Sequence, residues 1–205
     1  RKGAVDGMRD DIAEVLVSSD KMLDKGDYLI HGTTIGTNAI VEGKGARVGL
    51  ITTAGFEDVL EIRRVARPKE AAFDFGVDNP PPMVPRYLRQ GIQERILSDG
   101  SVLTPVDVGS VRKVVEYFKA QDVQAVVVCL LFSFVNPSHE QRVAEICREI
   151  IPQVPVSLSY ETCPEFREYE RTCTTVMNGY LGPVVETYMR NLQDRLASAH
   201  GNIRL

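Results

Sequence analysis

The sequence lacks the short patterns that assign a chemistry at once. Its four cysteines, Cys129, Cys147, Cys163 and Cys173, form no C-x-x-C pair and have no histidine at ligand spacing. Zinc and thioredoxin-type sites are therefore excluded, and reduced thiols are expected. There is no basic excess: 24 Lys and Arg stand against 28 Asp and Glu, for a formal net charge of -4. A nucleic-acid backbone finds no broad cationic surface here. The longest apolar run, over 125–132, falls far short of the roughly 20 residues a membrane helix needs. No basic start followed by an apolar stretch marks a secretory leader, so a cytoplasmic setting is expected. The G-x-x-x-x-G-K-[ST], G-x-G-x-x-G, G-x-S-x-G and H-E-x-x-H patterns are all missing. Serine nucleophiles and a Rossmann cofactor site have no support.

What is present is an ordinary globular mixture, 43% hydrophobic and 25% charged over 205 residues, able to bury a core. Val5, Met8, Ile12, Val15 and Leu16 share one face of a helix predicted over 4–17, and 28–31 reads as a short strand. A second strand is expected over 47–53 and an ion-paired surface helix over 57–64. Prolines at 80–82 and 85 forbid regular structure locally, and Ser98-Asp99-Gly100 marks a hairpin. The stretch 68–105 therefore reads as an insertion. Alternation then resumes, with a helix over 107–120 and a strand over 123–131 that is apolar on both faces. Asn136-Pro137 supplies an N-cap and a first-position proline for a helix that buries Val143, Ile146, Cys147, Ile150 and Ile151. A strand over 154–160 follows, then a long helix from about 172 to 199. Repeated strand–helix–strand units imply an α/β sheet.

Two segments could carry chemistry. In His31-Gly32-Thr33-Thr34-Ile35-Gly36-Thr37-Asn38, hydroxyls, an amide and glycines surround a helix start, where unpaired amides can face a phosphate. The same residues also suit a plain capped turn, with Thr37 or Asn38 as the cap. In the polar run 164–175, Arg167 and Arg171 at i,i+4 oppose the dipole of the helix they open unless an anion sits near. A solvated first turn is the alternative.

These residues resemble the N-terminal region of the hydantoinase A/5-oxoprolinase family. The resemblance rests on His31-Gly32-Thr33-Thr34-x-x-Thr37-Asn38-Ala39, on Gly45-Ala46-Arg47-Val48-x-Leu50-Ile51-Thr52-Thr53-x-Gly55-Phe56-x-Asp58-Val59-Leu60-Glu61-Ile62, on Asn136-Pro137-x-His139-Glu140 and on Arg167-Glu168-Tyr169-Glu170-Arg171-Thr172-x-Thr174-Thr175-Val176-x-Asn178. It implies a ribonuclease-H-like α/β core of the actin/hexokinase ATPase type. The implied activity is ATP-dependent opening of cyclic amides, of hydantoin or 5-oxoproline type, by phosphorylating the amide oxygen. A ketone carboxylase subunit and a non-catalytic assembly domain are the alternatives. The resemblance further implies ATP with Mg2+ or Mn2+, a cyclic amide as small-molecule substrate, and a C-terminal domain or hydantoinase B-like subunit as partner. Thr33, Thr34, Thr37, Asn38, Arg167, Arg171 and Thr172 are the expected substrate or phosphate contacts, with no metal ligand and no catalytic base assigned. The family's glycine-rich Asp-x-Gly-Gly-Thr-x-Thr-Asp strand pair does not occur in these 205 residues. The expectation is an incomplete core over 1–170, a helix over 171–205 leading to a second domain, and a fragment that does not hydrolyse ATP by itself.

Overall fold

Two glycines show how the central sheet is covered. A Cβ on Gly49 would lie 2.7 Å from the Phe118 ring, and one on Gly179 would lie 2.5 Å from Val127 Cγ2. Gly49 and Val127 sit on adjacent strands and face opposite ways, so each face of the sheet has a helix pressed close against it. The computed structural model describes residues 32–66, 74, 76 and 80–200. The helix predicted over 4–17, the strand over 28–31 and His31 lie outside them. The chain divides into two compact units, 39–184 and 1–38 with 185–205.

The larger unit is built on four parallel strands: β1 (Val48–Thr53), β2 (Arg89–Ile92), β5 (Ala125–Cys129) and β6 (Val156–Leu158), in spatial order β2-β1-β5-β6. A hairpin, β3 (Arg95–Ile96) with β4 (Val102–Thr104), forms a separate antiparallel pair. Gly100 at φ 84 turns it, and Asp99 Oδ1 accepts from Ser101 N at 2.9 Å. Within the stretch read as an insertion, β2 is an edge strand of the main sheet and the hairpin over 95–104 stands apart from it. β1 and β5 bury every residue, as strands covered on both faces require.

One face carries α3 (Val108–Ala120) and α4 (Ser138–Ile150), joined at their surfaces by an Arg112–Glu149 ion pair. The other face carries the first half of α6 (Glu168–His200). The remaining α-helices among the described residues are short: α1 (Ile35–Val41), α2 (Val59–Ile62) and α5 (Ser159–Thr162). In the smaller unit, Glu186 and Arg190 pair along α6 at 2.6 Å.

Several boundaries differ from expectation, α6 beginning at Glu168 instead of about 172 among them, and side chains explain three of the differences. β5 stops at Cys129 rather than 131, because the backbone of Leu130 and Leu131 bonds to side chains instead of neighbouring strands. β6 stops at Leu158, because Ser159 and Tyr160 turn to the Glu140 carboxyl. The helix over 57–64 shrinks to α2, since Arg63, Arg64 and Val65 all have positive φ. Arg63 bonds Pro80 O and Arg64 bonds Glu170, which hold that left-handed stretch. α4 begins one residue later than expected, yet Asn136 still caps it, its Oδ1 accepting from Ser138 N at 3.1 Å.

Candidate functional site

In a parallel sheet the strand order reverses at one point, and the crevice beyond the carboxyl ends of the strands there is where ligands bind. Here β2 lies to one side of β1 while β5 and β6 lie to the other, so the reversal falls between β1 and β5. Most of the unit's buried polar side chains gather at that end: Thr53, Glu94, Ser133, His139, Glu140, Ser159, Arg171 and Thr172.

Three of them take over the backbone where β5 leaves its ladder. Leu130 N donates to Glu140 Oε1 at 2.9 Å, Leu131 N donates to Thr53 Oγ1 at 3.1 Å, and Arg171 Nη2 donates to Leu130 O at 2.7 Å. A buried peptide group without a partner is costly, so charged side chains here serve the chain's own geometry. Glu140 is saturated: Ser159 Oγ donates to Oε1 at 2.6 Å and Tyr160 N to Oε2 at 3.2 Å. Burial pushes its carboxyl above the usual carboxylate value, and these donors pull it back in part. Burial likewise raises the Cys129 thiol, whose Sγ lies 3.2 Å from Thr172 Oγ1.

Arg171 is not saturated. Its residue is 1% exposed, its guanidinium lies 5.1 Å from the Phe134 ring centroid, and its Nε and Nη1 have no partner. A ring face contributes about 0.5–2 kcal/mol and a carbonyl bond to a cation about 1.5–3 kcal/mol. Desolvating an ion costs several kcal/mol, so the balance leaves room for an anion.

The other predicted contacts divide. Thr172 belongs to this cluster, with its Oγ1 donating to Glu168 O at 2.6 Å. Arg167 does not: it is exposed, at φ 83, with its guanidinium 5.2 Å from the ring of Phe166. Thr172, Thr174 and Thr175 of α6 bond back to carbonyls four residues earlier, which is how a helix interior accommodates them. Thr33, Thr34, Thr37 and Asn38 are exposed at the start of α1. Thr33 Oγ1 accepts from Ile35 N at 3.3 Å, and Asn38 Nδ2 reaches Thr34 Oγ1 at 3.4 Å. Thr33, rather than Thr37 or Asn38, closes that turn.

Thr53, Glu94, His139 and Glu140 were not singled out from the sequence as site residues. The signal existed: the apolar stripe of α4, extended backward from Val143 and Ala144 by four residues, lands on His139 and Glu140. Polar residues at stripe positions mark a polar interior.

Comparison with known proteins places these features in company. Residues 1–151 match the family model described as the hydantoinase/oxoprolinase N-terminal region. Caprolactamase subunit alpha of Pseudomonas jessenii is 44% identical over 168 residues, covering 81% of this chain and 24% of that protein. The acetophenone carboxylase gamma subunit of Aromatoleum aromaticum is 35% identical over 202 residues, covering 93% of this chain and 27% of that one. The crystal structure of the ATP-dependent caprolactamase from Pseudomonas jessenii superposes with a TM-score of 0.89 at 36% identity, over 100% of this chain and 30% of its own. The chain thus spans about a quarter of the length of these relatives. Among the described residues, no helix is long and apolar enough to cross a membrane.

Proposed function

Since this chain belongs to the hydantoinase/oxoprolinase family, as its N-terminal region, we propose that it is part of a cytoplasmic ATP-dependent hydrolase that opens cyclic amides of the hydantoin or 5-oxoproline type. The observation that carries the reading is Arg171, a buried guanidinium with two donors unmatched at the reversal point of a parallel sheet. That donor set suits a phosphate or carboxylate oxygen. Bound nucleotide supplies the phosphoryl chemistry that makes an amide oxygen a leaving group, and such transfer depends on placed cations more than on a covalent nucleophile. In this chain Arg171 would hold the anionic oxygen, with Thr172 beside it. Arg167, and separately Thr33, Thr34, Thr37 and Asn38, are proposed as exposed polar contacts of substrate or phosphate.

A divalent ion does not fit the described residues: no three His, Cys, Asp or Glu side chains come together among them. Mg2+ or Mn2+ would be held by other parts of the protein. The proposed architecture is a ribonuclease-H-like core over 1–170, with the helix over 171–205 leading toward a second domain or a hydantoinase B-like subunit. A ketone carboxylase subunit is the second reading, favoured by the 35% identity to the acetophenone carboxylase gamma subunit across 93% of the chain.

The test is turnover by the full-length protein with its partner subunit, ATP and a divalent ion. Caprolactam, hydantoin and 5-oxoproline are set against acetone and acetophenone with bicarbonate, and ADP and organic product are both measured. Ring-opened product with a cyclic amide is expected. Carboxylation of a ketone with no cyclic amide opened refutes the hydrolase. Arg171→Met also removes the 2.7 Å bond to Leu130 O, so a loss of about 1–3 kcal/mol in stability is expected, while turnover by the folded variant falls about tenfold or more.

A further inference from the structure

A second chain of buried groups at the same end of the sheet is not used by that reading. Glu94, two residues past β2, has a side chain with no exposed surface, and its Oε2 lies 2.7 Å from His139 Nδ1. Its Oε1 is bonded to Thr53 Oγ1, and Thr53 Oγ1 also meets Leu131 N at 3.1 Å. Chemistry fixes the directions at Thr53. An amide can only donate, so Thr53 Oγ1 accepts from Leu131 N and sends its own proton to Glu94. With Glu94 accepting on both oxygens, a neutral imidazole at His139 carries its proton on Nδ1 and leaves a lone pair on Nε2. Nε2 has no partner among the described residues, and 9% of the side chain reaches the surface.

Four separate segments converge to set this one ring: β1 supplies Thr53, the segment after β2 supplies Glu94, the segment after β5 supplies Leu131 N, and α4 supplies His139. Burying three polar side chains only to hold a fold is no better for stability than packing apolar ones of similar volume. A carboxylate behind Nδ1 does have a use: it orients an imidazole so that its far nitrogen meets a partner.

We propose that His139 Nε2 is the hydrogen-bond acceptor of a ligand site at the β1/β5 reversal, with Thr53 and Glu94 as its positioning residues. A neutral acceptor does not favour phosphate or carboxylate oxygens, which are acceptors themselves. It selects a neutral ligand carrying an N–H or O–H. A cyclic amide presents such a group in its ring N–H. The identity of the ligand rests on the ring-opening reading, whereas the acceptor itself does not.

The sequence has three histidines, His31, His139 and His200, so a long-range 1H–15N spectrum can resolve each ring. His139 is expected as the Nδ1–H tautomer. Glu94→Gln, which offers one acceptor to two donors, is expected to shift it toward Nε2–H. Diethylpyrocarbonate attacks a bare, reachable Nε2, and peptide mapping is expected to find His139 modified. Saturating hydantoin or caprolactam is expected to slow that modification. His139→Asn keeps an amide where Nδ1 stood, preserving the bond to Glu94 while deleting Nε2. Its melting temperature is expected to stay near wild type, with cyclic-amide binding weakened about five- to tenfold, the loss of one hydrogen bond. An Nε2–H tautomer in the wild type, a His139 untouched by the reagent, or unchanged binding in His139→Asn overturns the proposal. A reactive Nδ1–H ring that no cyclic amide protects upholds the acceptor site and counts against the ring-opening reading.

Discussion

Glu140→Ala removes the carboxyl that ends β5 and β6, and the structure sets the size of the effect. Glu140 accepts from Leu130 N, Ser159 Oγ and Tyr160 N. Ser159 keeps a partner in Ser133, 3.0 Å away, so two backbone amides are left unpaired. Each stranded amide costs about 1–3 kcal/mol, giving about 2–6 kcal/mol in all. In a chain of this size about 1 kcal/mol moves the melting temperature by roughly 2–4 °C. A fall of about 4 °C or more is therefore expected. Glu140→Gln keeps one carbonyl oxygen for Leu130 N and Ser159 Oγ and loses only the bond from Tyr160 N, so it should cost about 1–3 kcal/mol, at most half the loss in Glu140→Ala. The pair also separates charge from hydrogen bonding. Burial holds the folded Glu140 carboxyl above its ordinary value of 4.5. Between that value and the raised one, the native state binds more protons than the unfolded chain. The stability from this group is thus complete below pH 4.5 and is lost as pH rises through the folded value. Gln does not titrate, so the advantage of wild type over Glu140→Gln is expected to shrink from pH 4 toward neutrality. Thermal melts by circular dichroism across that range decide it. A Glu140→Ala protein that melts within about 2 °C of wild type, or an advantage that grows with pH, refutes the reasoning.

Three further outcomes follow from the same structure. Asp107→Ala removes the Oδ1 that accepts from Gly109 N at 2.9 Å at the start of α3, and urea titration should show a loss of about 0.5–2 kcal/mol with unchanged slope. Gly179→Ala would put a Cβ 2.5 Å from Val127 Cγ2, so a helix residue normally improved by alanine should here lose about 1–3 kcal/mol in denaturant melts. Of the four free thiols, Cys147 is pushed up to about 12 by burial and Cys129 is also raised. With a chromogenic disulfide at pH 8, half-buried Cys163 should react in the native protein, and Cys129 and Cys147 only after denaturant is added.

The apolar periodicity carried the strands and helices well, because burial on both faces leaves an unbroken run such as 125–129 that few other structures produce. The hairpin at Asp99 and Gly100 was equally legible, since a tight turn needs those residue types. The edge strand β2 was hidden. Its Arg89 is buried and bonded to Glu61 at 2.6 Å, a role that pairing across the fold decides and local composition does not. The site was legible in half. Arg171 stands out as a misfit in a helix start and Thr172 through the family resemblance, and both are buried. Glu94 and Thr53 left no local trace, because what makes them notable is a partner more than forty residues away.

Every neighbour of β1 comes from a distant part of the chain: Leu50 lies beside Arg89 on one side and Val127 on the other. No strand of this sheet can pair with the next through a tight turn, so each contact must first close a long loop. Formation of the unit is therefore expected to be slow and all-or-none. Until β1, β5 and α4 have docked, Glu140 and Arg171 stay hydrated, and Thr53, Glu94 and His139 never meet. The binding cluster thus has no partial version in a half-folded chain, and its appearance in time reports that the whole sheet has closed.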